Sequence, residues 1–197
     1  MTSPARPRAI PGFLRHLLGF PGLLAALLWG LAEGTVFFIV PDILITLTAL
    51  FSLRESLKQT ALVVAGSLLA GTILYTASVA HDDRVMAAVR QVPFVRAGMF
   101  VRTREDFERH GVWAMLRGPT SGIPYKVYAA QAPRYCRLAA FIVVSIPARL
   151  ERLLLSWALF AAAGWFLRGR IGRNPGTAVP LHGIYWASIY AYYWSVI

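Results

Sequence analysis

The chain has 197 residues, 57% of them hydrophobic and only 15% charged, with a mean hydropathy of +0.55. Soluble domains average about 45–50% apolar and about 25% charged, so this composition argues against an ordinary soluble domain and for an integral membrane protein. The net charge of +11 does not point to nucleic acid, because the arginines are spread among hydrophobic spans with no basic stripe on a soluble module; lipid phosphates at the membrane interface are the expected partners instead.

The opening stretch MTSPARPRAIPGFLRHLLGFPG is basic, then apolar, and has no small-x-small cleavage site. It reads as a retained amphipathic lead-in over 1–22, with 13–20 lying in the interface. The apolar block 23–53 follows and carries two acids, Glu33 and Asp42, on either side of Pro41. Proline removes a backbone donor and restricts the residue before it, Val40. One continuous helix is therefore disfavoured, and half-helices over about 23–39 and 42–53 are expected. The second is too short to span, so the pair reads as a re-entrant hairpin. A backbone break at membrane depth is tolerated only where protein or a wet cavity covers it.

After the polar connection SLRESLKQ (52–59) comes a transmembrane helix over 57–80, whose 59–80 segment has 22 residues without a formal charge. Crossing a hydrocarbon core of about 30 Å takes roughly 20 such residues. Gly66 and Gly71 within it read as sites of close helix packing. The stretch 81–110 is the most charged and predicts surface helices interrupted near Pro93, with Glu105 and Arg109 supporting one of them; its charges read as a solvated face. A second broken block, 111–133, has its glycines and prolines clustered at 118–124 and reads as a second re-entrant hairpin. It precedes a long transmembrane helix over 138–167 that bears Arg149, Glu151 and Arg152. The basic loop RGRIGRNPG opens the last segment, 168–197, which ends in the aromatic HGIYWASIYAYYWSVI, a short span or interfacial helix. The fold class is an all-α integral membrane protein with two broken hairpins, each followed by a transmembrane helix, in an inverted-repeat-like order. Transporters built this way place the site where the broken helices meet. Arginine and lysine counts are similar on the two sides, so orientation is not decided.

No Gly-rich phosphate loop, HExxH, nucleophile elbow or paired cysteines occur. Cys136 is the single cysteine, and His16, His81, His110 and His182 are scattered. No metal, no cofactor and no enzymatic activity are expected. What remains is a set of charges within apolar segments, Glu33, Asp42, Lys126, Arg149, Glu151 and Arg152, and such charges usually face a cavity or a partner. Arg149 and Arg152 share a helical face and Glu151 points elsewhere. Acids on the first hairpin and bases on the second half suggest pairing across the repeat interface. The residues leave several readings open. The acids are structural partners of the arginines or components of a transport site. The arginines accept an anion or snorkel to headgroups. Asp42 caps the second half-helix or faces a charge, and Lys126 binds an anion or anchors at the interface.

The segments AEGTVFFIVPDILI (32–45), GSLLAGTILY (66–75), FERHGVWAML (107–116), GIPYKVY (122–128) and SIPARLERLLLSWALF (145–160) resemble, in this order over about 31–163, the DedA (SNARE-associated, VTT-domain) membrane protein family, in particular its YqaA-like branch. The resemblance implies two inward-facing re-entrant hairpins and translocation of a phosphorylated lipid such as undecaprenyl phosphate or a phospholipid. It also implies a multi-pass location in the cell inner (plasma) membrane. Carried over by position, the family's functional acids fall on Glu33 and Asp42 and its basic residues on Lys126, Arg149 and Arg152. The chain departs from the family pattern at RGPTSG (117–122), at QAP (131–133) and at Glu151. Membrane lipids with an anionic headgroup are the expected partners, and self-association is left open. The two acids make proton coupling a hypothesis. A non-transporting envelope scaffold that binds through 81–110 is the alternative.

Overall fold

The computed structural model describes residues 12–196, so the first part of the expected lead-in, 1–11, lies outside the described residues. Every regular element among the described residues is helical: α1 (Gly12–Leu17), α2 (Phe20–Thr35), α3 (Asp42–Ala49), α4 (Leu53–Arg90), α5 (Ala97–His110), a 3-10 segment (Gly111–Arg117), α6 (Gly118–Ser121), α7 (Tyr125–Gln131), a second 3-10 segment (Ala132–Arg134), α8 (Leu138–Arg173) and α9 (Pro175–Val196). The helical class read from the sequence is the class observed. Among the described residues, one helix, α4, is long and apolar enough to cross a membrane.

The chain leaves the helical path where Pro41 predicts it will, but α2 ends at Thr35, earlier than expected, and the non-helical stretch covers 36–41. Its polar groups are taken up by side chains from other parts of the chain. Trp29 Nε1 donates to the Ile39 carbonyl at 2.9 Å, Lys126 Nζ to the Phe37 carbonyl at 2.7 Å, and the Val40 amide donates to Tyr190 Oη at 2.8 Å. A buried break in the ladder survives only when its orphaned donors and acceptors are paired in this way.

Helix α4 starts at Ser52, whose side chain accepts from the Glu55 amide at 3.3 Å. Helical residues run on as far as Arg90, but His81 has non-helical angles (φ −145°, ψ 57°) and kinks the helix, so two helical segments meet at 80, the expected end of the span. α2 lies against α4 along glycines. A Cβ on Gly66 would collide with the Leu27 carbonyl and the Leu31 amide, and one on Gly30 with the Val63 backbone. Both neighbours are main chain and cannot rotate away. Gly66→Val is therefore expected to cost on the order of 1–3 kcal/mol or more, the usual range for overpacking, read as a lowered unfolding midpoint in detergent.

The 81–110 stretch differs from a purely solvated arm. Pro93 does interrupt it, between α4 and α5. Its arginines are largely exposed, but Met86, Val89, Met99, Phe100 and Phe107 form one core with Met115, Val127 and Tyr128. Phe107 is stacked on Tyr135 at 5.0 Å. The ion pair within α5 is Arg104–Glu108 at 3.7 Å. Arg134–Asp82 and Arg117–Asp106, the latter at 3.8 Å, tie this layer to the segments around α7. A second, smaller core joins Ala26, Leu44, Ile45, Val63, Val64 and Leu153, from α2, α3, α4 and α8. The broken segment 36–41 meets the start of α7 at Lys126, whose side chain reaches the Phe37 carbonyl.

Candidate functional site

Four helices, α2, α3, α7 and α8, deliver five charged side chains to this junction. Glu33 stands in the last turns of α2, and Arg149 comes from α8, two residues after Pro147. They form a buried ion pair with side chains 8% and 6% exposed. Arg149 also donates to Ser67 Oγ of α4 at 3.1 Å and lies over the Tyr125 ring, 5.1 Å from its centre. Tyr125 is itself held by a 2.9 Å hydrogen bond to Ser145 Oγ. Gly71 makes room for this ring, since a Cβ there would strike the Tyr125 hydroxyl.

The second pair is Asp42 with Arg152, at 2.8 Å between Oδ2 and Nη1. Its two members differ in burial. Arg152 is 29% exposed while Asp42 is 1% exposed, and Asp42 Oδ1 has no hydrogen-bond partner among the described residues. Asp42 does not cap α3. The cap position belongs to Pro41 with no side-chain cap, and the carboxylate faces α8 instead. This geometry predicts an asymmetry. Arg152→Met strands a fully buried carboxylate, whereas Asp42→Asn leaves an arginine that the cavity can hydrate. The first is expected to destabilise by roughly 3 kcal/mol, towards the cost of breaking a buried pair, and the second by about 1 kcal/mol, as for an ordinary hydrogen bond. Unfolding midpoints of the two variants check this directly.

Lys126, from α7, is 2% exposed. Its location rules out the interfacial anchor. No carboxylate lies within ion-pair distance of it among the described residues, and its ammonium donates to the Phe37 carbonyl of the broken segment. Three cations therefore meet two carboxylates, and the cluster keeps one net positive charge. Glu151, as the helical phase predicts, points away and is exposed.

A cavity of about 310 Å3 opens over this cluster. Glu33, Lys126, Arg149 and Arg152 line its charged part, and Asp42 reaches it only through Arg152. The remaining walls are apolar or aromatic. They come from Phe38 and Val40 of the break, Val92 to Val95 after α4, Ile123 to Tyr125 at the start of α7, and Trp186, Ile189, Tyr190 and Tyr193 of α9. Phe94 has a left-handed backbone, φ +67°, which disfavours a bulky side chain. Its ring packs on Phe38 at 5.4 Å across the cavity wall.

Of the five residues singled out from the sequence, four line one cavity and the fifth is bound to it by an ion pair. Sequence reasoning missed Ser67, Tyr125 and the wall from α9. Tyr125 precedes Lys126 directly and was within view. The α9 aromatics carried only the signal of an interfacial belt. No family model, curated protein or solved structure matches this chain.

Proposed function

We propose that this chain is a multi-pass membrane protein of the DedA type that moves a phosphorylated lipid, such as undecaprenyl phosphate or a phospholipid, across the cell inner membrane. The observation that carries the reading is the cavity itself, with a cluster bearing one surplus positive charge at one end and apolar walls elsewhere. An amphiphile with an anionic head matches both parts. Guanidinium and ammonium groups bind phosphate oxygens through charge-assisted hydrogen bonds. In a low dielectric, a fixed cation also offsets much of the cost of desolvating the head. On this reading 23–53 and 111–133 are re-entrant hairpins, related as inverted repeats, and α4 and α8 cross the bilayer. Supporting this, α8 exposes large apolar side chains such as Leu155 (68%), Leu159 (59%) and Phe166 (76%), a face that lipid would cover.

The test is a flip assay with purified protein in vesicles, comparing undecaprenyl phosphate with ordinary phospholipids. Protein-dependent movement of either supports the reading, and movement of neither overturns it. Proton coupling, if Glu33 takes part, predicts that an imposed pH gradient changes the rate and that Glu33→Gln removes the dependence. A scaffold protein would move no lipid and would lose its role when the charged face of 81–110 is altered.

A further inference from the structure

We infer that α9 is the moving wall of the cavity, latched to the chain on both sides of Asp42, so that opening the cavity and releasing Arg152 from Asp42 are one event. What the opening admits rests on the transport reading above.

His182, Trp186 and Tyr190 follow one another at four-residue spacing and so share a face of α9. Tyr190 reaches the broken segment 36–41, and His182 and Trp186 reach α3. Tyr190 Oη accepts the Val40 amide at 2.8 Å. Thr46 Oγ1 lies 2.8 Å from His182 Nε2 and 3.1 Å from Trp186 Nε1. The threonine hydroxyl has a single proton, and the Asp42 carbonyl 2.6 Å away takes it. With that proton directed at the carbonyl, Trp186 donates to the Thr46 oxygen, and His182 does so in its Nε2–H tautomer. The latch thus grips two residues before Asp42 and four after it.

Besides this latch, Phe160 of α8 packs on the rings of His182 and Tyr185, at 5.3 and 5.1 Å. Past His182 no described side chain of α9 is buried, and Ile184 and Tyr192 are 62% and 70% exposed. Yet Trp186, Ile189, Tyr190 and Tyr193 close one side of the cavity. When α9 swings out, the cavity loses that side, the Val40 amide loses its acceptor and Thr46 loses its two donors. The stretch from Val40 to Asp42 has then lost its polar tether to α9, while Leu44 and Ile45 still pack in the second core. Since the Asp42 carboxylate is held only by Arg152 among the described residues, its movement exposes the guanidinium to whatever enters. An anionic head and the carboxylate compete for one arginine, and the wall decides when.

The test uses the full chain with Cys136→Ser as background. Spin labels at Val36 and Tyr192, both exposed, report the separation of the break and α9 in vesicles. The expected result is a dominant short distance, joined by a longer one when Tyr190→Phe and Thr46→Val remove the latch without altering side-chain size. An unchanged distribution in that double variant overturns the proposal. In a second arm, Thr46→Cys and His182→Cys are tethered with a short bifunctional methanethiosulfonate. Flipping of fluorescent phosphatidylglycerol is then expected to stop and to resume on reduction, and flipping that continues while tethered overturns the proposal. If the untethered protein moves no lipid, the transport reading fails and the distance measurement alone decides whether α9 is latched.

Discussion

Arg149→Met is expected to destabilise the protein by about 3–5 kcal/mol, and adding Glu33→Gln to recover most of that loss. Breaking a buried pair leaves one charge uncompensated, which costs about 3–5 kcal/mol, whereas replacing both members by groups of similar volume is often neutral. Glu33 and Arg149 are both nearly inaccessible, so water re-solvates whichever is left only poorly. The Ser67 hydroxyl and the Tyr125 ring, which contact the guanidinium, add to the loss in the single arginine variant. The measurement is a double-mutant cycle on unfolding midpoints in mixed micelles. A coupling energy near zero would mean that the two side chains do not depend on each other. This result bears on function too. A flip assay on Arg149→Met alone confounds loss of the site with loss of the fold, while the double variant separates them.

The break at 36–41 was legible in part, because one of its signals is local. Proline lacks a donor wherever it sits, so Pro41 disfavours one continuous helix, but the end of α2 at Thr35 is not written in it. Charge pairing between halves was legible as a class, but its register was not. Which acid meets which arginine depends on how α2, α3 and α8 are rotated about their own axes, and apolar segments that face both protein and lipid have no single polar side to fix that rotation. The structure sets Glu33 with Arg149 and Asp42 with Arg152. In 81–110 the arginines and acids drew the reading to solvent. The opposite face was also written in the chain, as Met99, Thr103 and Phe107 at four-residue spacing, all buried. The part played by α9 was not legible at all. His182, Trp186 and Tyr190 act through single polar atoms on partners 136 to 150 residues away, and an aromatic tail at a membrane interface has the same composition without those bonds.

Lys126→Met is expected to slow lipid translocation by about 10- to 100-fold while leaving a folded protein, and Lys126→Arg to restore part of the rate. The magnitude follows from a charge-assisted hydrogen bond worth roughly 1.5–3 kcal/mol and a factor of ten for each 1.36 kcal/mol. Lys126 is the more informative cation because it has no carboxylate of its own. Removing Arg149 or Arg152 strands a buried acid, but removing Lys126 strands only the Phe37 carbonyl and brings the cluster to neutrality. A site that attracts an anion through its surplus charge should lose that attraction at once. A cluster that serves only to join two halves should tolerate the change, since both ion pairs remain. Translocation at the wild-type rate in Lys126→Met, with an unchanged unfolding midpoint, would take the headgroup away from this cavity. A slowed rate that is insensitive to the charge of the lipid head would assign Lys126 to holding the 36–41 break, with the cation acting on the Phe37 carbonyl and not on the cargo.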